Sequence, residues 1–219
     1  GLNSFGQLGL GNEVKQCINS ARQVTESGLA AVSIAQVSCG ENHTICLDNR
    51  GRVYCFGDNY YGQSGAHLNH YENVYYPLKV EHFKQQFSAR IVKVSSGKYH
   101  CVALDKLGRV FCWGLGAYGQ LGCNKLNKRC ILPIQVDALQ NEKVIDIRCG
   151  IYHSIAVTNK AHLYCWGSNN YGQCLQNVNH ENIIMPKLAK PDYFEQHNLS
   201  IYKVFSGYYS TLVIAHEAA

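Results

Sequence analysis

The sequence predicts an all-β protein, a β-propeller of four-stranded antiparallel blades, and three observations carry that expectation. A glycine-rich motif recurs at 1–9, 57–65, 114–122 and 167–175 (GLNSFGQLG, GDNYYGQSG, GLGAYGQLG, GSNNYGQCL), with first glycines 56, 57 and 53 residues apart. A second motif, VSSGKYHCVAL at 94–104 and its relatives at 37–47, 147–157 and 204–214, keeps the same phase. Its glycines, Gly40, Gly97, Gly150 and Gly207, are 57, 53 and 57 apart. Finally, the runs VYCF (53–56), VFCW (110–113) and LYCW (163–166) have no polar side. Alternate residues of a strand face opposite ways, so these strands are covered on both faces. Neighbouring blades do that in a propeller; a sandwich strand keeps one wet face.

Each repeat reads in order as strands. IVKVSS (91–96) and VIDIRC (144–149) alternate and end at Gly97 and Gly150. HCVALD (100–105) leads through a turn to RVFCW (109–113). The turns Asp48–Gly51 and Asp105–Gly108 end in glycine, as hairpins favour, whereas 158–161 ends in Ala161 and predicts a weaker turn. PLKV (77–80), PIQV (133–136) and PKLA (186–189) are short strands opening on proline, which suits the first position of a strand. Little of the chain has a helical pattern. The chain forms one domain, 1–219, with repeat motifs at 1–9, 37–65, 94–122, 147–175 and 204–214. Four repeats fit either a closed four-bladed ring, whose ends share a blade, or a section of a larger propeller. Beginning at Gly1, with Met185 as its single methionine, the chain reads as an excised segment.

Composition excludes several classes. Charged residues are 16% and hydrophobic ones 46%, so the chain folds around a core. The net charge of +5 is spread along the chain, its densest run being Lys125, Lys128 and Arg129, and nucleic acid is not expected as a partner. No apolar run reaches the length of a membrane-spanning helix. Eleven cysteines without a C-x-x-C pair predict neither disulfides nor a zinc module. Many sit in apolar runs as small core residues, Cys55, Cys112 and Cys165 at one repeat phase. A reducing compartment, cytoplasm or nucleus, follows.

Gly114, Gly116 and Gly119 spell G-x-G-x-x-G, a dinucleotide-binding spacing, but no helix pattern follows and the siblings break the motif. The third position is Asn3, Asn59, Gly116 or Asn169, residue types that tolerate a left-handed backbone. It predicts a turn and no cofactor. Phe5, Tyr61, Tyr118 and Tyr171 precede Gly-Gln and are expected to pack on the neighbouring blade or cap the loop, and Trp113 and Trp166 are structural repeat positions. His43, His100 and His153 share one phase, with Ser210 in the fourth repeat. Repetition argues for a structural role, their tautomers held by backbone carbonyls. His67 and His70 form H-x-x-H without a third ligand, so no metal is expected.

Together the motifs resemble the regulator of chromosome condensation repeat family. VSSGKYHCVALDKLGRVFCWGLGAYGQLG carries the pattern over 94–122, and its relatives extend it along nearly the whole chain. Departures are Phe56 for tryptophan, Ser64 for leucine, Leu175 for glycine and Ser210 for histidine. Gly62, Gly119 and Gly172 fall on a glycine of the pattern. The resemblance implies a propeller, seven-bladed in the founding member, which is a guanine-nucleotide exchange factor for the small GTPase Ran. Other members are scaffolds, and some short bacterial ones act on host GTPases. It therefore implies a protein partner, of the Ran type or another, and no bond-making chemistry. Tyr71, Tyr75, Tyr76, His82 and Phe83 form the most aromatic inter-motif stretch and are the candidate binding residues, since loops on a rigid scaffold carry recognition.

Overall fold

The computed structural model describes residues 1–13, 17–68, 72–176, 181–189 and 191–217. Three sheets of four antiparallel strands follow one another. The first is β1 (Ile34–Cys39), β2 (His43–Asp48), β3 (Val53–Gly57) and β4 (Val74–Lys79). The second is β5 (Ile91–Ser96), β6 (His100–Asp105), β7 (Val110–Gly116) and β8 (Asn127–Gln135). The third is β9 (Val144–Cys149), β10 (His153–Thr158), β11 (Leu163–Gly167) and β12 (Ile183–Leu188). β13 (Leu199–Ser206) and β14 (Thr211–Glu217) form the first half of a fourth. The first strands pack in sequence, β1 on β5, β5 on β9 and β9 on β13, so they surround one axis.

The architecture is a section of a propeller. Among the described residues β14 pairs with β13 alone, and Leu212 on it is 62% exposed, so the two ends do not join into a four-bladed ring. The unpolar strands are covered as expected. β2, β6 and β10 are buried at every position, as are β3 and β7, with Trp113 and Trp166 at zero exposure. The core therefore lies between sheets.

Two expectations are corrected. The prolines do not open the fourth strands but lie inside them: Pro77 in β4, Pro133 in β8 and Pro186 in β12. Each falls where the register with the third strand shifts, for example between the pairs Cys165↔Lys187 and Gly167↔Ile183. A bulge on an outermost strand needs no donor there, so the missing N–H costs little. Secondly, 82–87 is a helical turn, α1 (His82–Phe87), closed by Ser88 at φ 48° with Ala89 N–H donating to Phe83 O (2.9 Å). A second short helix, α2 (Pro191–Gln196), takes the equivalent place in the third repeat.

Candidate protein-interaction face

The glycine-rich motif joins one blade to the next. The N–H groups of Leu8, Ser64 and Cys174 donate to Oδ1 of Asn3, Asn59 and Asn169 at 2.8–3.0 Å. Those of Phe5, Tyr61, Tyr118 and Tyr171 donate to Oε1 of Gln7, Gln63, Gln120 and Gln173 at 2.8–3.0 Å. So braced, the glutamine presents its backbone carbonyl to the next blade. Gln63 O and Gln120 O accept from Trp113 and Trp166 Nε1, both at 2.9 Å, while Gln7 O and Gln173 O accept from Thr44 (2.8 Å) and Thr211 (2.7 Å) hydroxyls. The expected left-handed third position is not found. Positive φ falls instead on such positions as Gly62 (87°), Gly119 (82°) and Gly172 (75°). Asparagine is chosen there for its side-chain acceptor, and Gly116 belongs to the end of β7, paired with Asn127.

His43, His100 and His153 latch the blades a second time. Gly40, Gly97 and Gly150 N–H donate to the carbonyl of the same turn's histidine at 2.8–2.9 Å. None of these glycines has a positive φ. They are glycine for space, because an added Cβ would overlap the imidazole. Each Nε2 reaches the following blade, at Cys101 Sγ (3.3 Å), Ser154 Oγ (3.0 Å) and Thr211 Oγ1 (3.2 Å). Ser154 and Thr211 spend their protons on Gln120 O and Gln173 O. Nε2–H is therefore the donor to both hydroxyl oxygens, and a side chain of the next blade, not a backbone carbonyl, sets the tautomer. Burial together with His153 and His43 pushes His100 down to about 3, and burial pushes His153 to about 4. Both stay neutral. The Cys101–His43 contact has the partners of a nucleophilic pair, but burial holds the thiol well above its ordinary value, so it is no nucleophile.

β3 ends at Gly57 opposite His43, so turns and motifs share one end of the sheets. There each motif tyrosine meets a tyrosine of the next blade's turn. Ring centroids are 5.1 Å apart for Tyr61–Tyr99, 4.5 Å for Tyr118–Tyr152 and 5.0 Å for Tyr171–Tyr209. Tyr99–Tyr152 (6.4 Å), Tyr60–Tyr61 (4.9 Å) and Tyr208–Tyr209 (5.2 Å) extend these pairs into a collar. It borders a depression of about 320 Å³ whose lining includes Gly40, Glu41, Gly97, Lys98, Gly150 and Tyr208. Lys98 lies 5.2 Å over Tyr99 and 3.5 Å from Glu41, which leaves the mouth near neutrality. Tyr171 is 73% exposed and Tyr208 59%. The motif tyrosines thus do more than pack between blades. Rigid rings with a polar tip are favoured anchors for a protein partner. The turn tyrosines Tyr99, Tyr152 and Tyr209 escaped the sequence reading, although their recurrence two residues after glycine was a visible signal.

The five candidate residues do not gather there. Tyr71, like His70, lies outside the described residues. Tyr75 and Tyr76 sit on the outermost strand of the first blade and clamp the preceding loop. Gly11 N–H donates to Tyr75 O (3.0 Å), and a Cβ at Gly11 would come within 2.8 Å of the Tyr76 ring. His82 is half-buried, edge-on to Phe87 at 5.4 Å, its pKa lowered by burial and by His67. Phe83 is 3% exposed and packs edge-on to Phe111 (5.5 Å) and Trp113 (5.6 Å). It is corrected to a core residue, because the turn of α1 aims it between β-strands. Among the described residues no three His, Cys, Asp or Glu side chains converge on a metal-sized site.

A family model described as an RCC1-like domain matches residues 1–219. The Arabidopsis thaliana ultraviolet-B receptor UVR8 is 32% identical over 173 residues, 79% of this chain and 37% of that protein. Among solved structures, human WBSCR16 superposes with a TM-score of 0.82 at 23% identity, over 98% of this chain and 53% of its own. Saccharomyces cerevisiae Prp20p, in a structure reported with its binding properties to Gsp1p and histones, gives 0.72 at 18% identity, over 98% and 50%. The chain thus spans about half or less of the proteins it matches.

Proposed function

The chain belongs to the RCC1-like domain family, and from that premise we propose that it is a protein-interaction propeller section whose tyrosine-collared end binds a small GTPase of the Ran type and promotes release of its guanine nucleotide. The observation that carries this reading is the collar itself, a run of paired rings bordering the depression. Its aromatic anchors suit a protein surface, and rings already packed in tilted pairs are preorganised, so little entropy is lost on docking. The Gsp1p binding reported for Prp20p supports a protein partner of this kind. A reducing compartment, cytoplasm or nucleus, is part of the same proposal; it is supported by seven of the eleven cysteines being buried as small apolar core residues.

The test is a panel of small GTPases loaded with fluorescent nucleotide, with release followed in the presence and absence of the chain. Expected is binding to at least one member, faster release, and loss of both in Tyr118→Ala/Tyr152→Ala with the fold retained. Binding without acceleration would replace exchange by a non-catalytic adaptor role. Absence of binding across the panel would remove the GTPase reading.

A further inference from the structure

The hairpins joining the second and third strands lie at the other end of the sheets. β6 runs from His100 at the collar to Asp105 at its hairpin, five steps of about 3.4 Å, or roughly 17 Å. Two of the three hairpins consume their own acid, and the third has Thr158 in its place. Asp48 accepts from Arg50 and Arg52 N–H and pairs with Arg52 Nε (2.5 Å); Asp105 accepts from Leu107 and Arg109 N–H and pairs with Arg109 Nε (2.7 Å). The cations left over stand in a row, with Gly108 of the second hairpin abutting Lys143, whose Cα would lie 3.2 Å from a Cβ added there. Arg90 Nη2 reaches Asn49 O (3.5 Å) beside Arg50, Lys106 N–H donates to Arg90 O (3.0 Å), and Asn159 N–H donates to Lys143 O (2.9 Å) beside Lys160. Arg50, Arg90, Lys106 and Lys143 are exposed, and among the described residues none of them pairs with a carboxylate. Glu81, paired with Lys79, lies near Arg52, and Glu142 offsets Lys160 and His162, so a surplus of positive charge remains.

Charges spread along the sequence are thus focused by the repeat phase onto one rim. In its middle, where the other hairpins carry Arg50 and Lys160, stands Leu107, 65% exposed. Beside it opens a recess of about 100 Å³ lined by Leu107, Val136, Leu139 and Gln140, with Glu142 at its edge. That is room for one small apolar side chain.

We propose that this hairpin rim is a second binding surface, separate from the collar, for an acidic segment of a protein partner that carries one apolar residue. The partner's carboxylates face Arg50, Arg90, Lys106 and Lys143, and its apolar side chain enters the recess beside Leu107. Nucleic acid fits less well: a single strand favours exposed rings for its bases, which stand at the opposite end, and a duplex calls for a longer basic stripe than these four cations.

The test is fluorescence anisotropy at 50 and 300 mM salt with three probes: a twelve-residue glutamate peptide with one central leucine, the same peptide with serine there, and a twenty-base-pair DNA duplex. Expected is binding of the leucine peptide, weakened by salt, about tenfold weaker in Arg50→Glu/Lys106→Glu/Lys143→Glu, and unchanged in Tyr118→Ala/Tyr152→Ala. Leu107→Ser should cancel the preference for leucine over serine, about fivefold. Circular dichroism confirms that each variant folds. The proposal is overturned by no binding at 50 mM salt, by equal binding to the charge-reversed variant, or by loss in the tyrosine variant. A duplex that binds more tightly than the peptide, and is lost on charge reversal, would assign the rim to nucleic acid instead.

Discussion

Replacing Gly97 by alanine tests the claim that this glycine is there for room and not for backbone handedness. Its φ is ordinary, yet an added Cβ would interpenetrate the His100 ring and stand 2.6 Å from Gly150 O on the next blade. The imidazole, at zero exposure, has to leave its site, and its 3.0 Å bond to Ser154 goes with it. Overpacking a filled site costs about 1–3 kcal/mol, and a lost buried hydrogen bond about 1 kcal/mol more, so about 2–4 kcal/mol in all. Gly172→Ala is the control. That glycine has φ +75° and nothing within 4 Å of an added Cβ, so only the left-handed backbone is penalised, at about 1–2 kcal/mol. Urea unfolding of both variants separates the two costs. The double variant Gly97→Ala/His100→Ser should recover part of the loss, since the two residues share one space. A Gly97→Ala variant no less stable than Gly172→Ala would refute the reasoning.

Three further outcomes follow from the same structure. Stability should fall with acid, because His100 and His153 titrate at about 3 and 4 when folded against 6.5 when unfolded. The neutral rings contribute stability that is complete above pH 6.5 and is lost as pH falls toward 4 and then 3. At pH 5 each forfeits about 2 kcal/mol, and urea midpoints equal at pH 7 and pH 5 would contradict this. Phe83→Ala should cost about 3–5 kcal/mol by cavity formation while leaving GTPase binding by the folded fraction unchanged, measured by denaturation and pull-down. Ala161 holds φ 60° where the other two hairpins use Gly51 (82°) and Gly108 (87°), so Ala161→Gly should stabilise by about 1 kcal/mol, read as a higher urea midpoint.

What the amino-acid order determined by itself is everything local to one repeat. The strands at 91–96, 100–105 and 144–149 stand where their alternation and bounding glycines put them, because a strand's side-chain period of two is written in adjacent residues. The apolar runs at 53–56, 110–113 and 163–166 likewise announced sheets covered on both faces. The outer strands were less legible, since their prolines sit in bulges whose position depends on the partner strand. The aromatic loop chosen as a binding site failed at Phe83 for a related reason: an aromatic residue looks alike in sequence whether it faces solvent or Trp113. Tertiary structure alone decided what meets what between blades. His100 and Ser154 are 54 residues apart, and Lys106 lies against Arg90 through a backbone bond that no local pattern encodes. The repeat supplied tyrosines at one phase and cations at another. Only packing the sheets around an axis gathered the first into a collar and the second into a rim at opposite ends, because closeness across blades is a property of how the sheets pack and not of the order of residues along the chain.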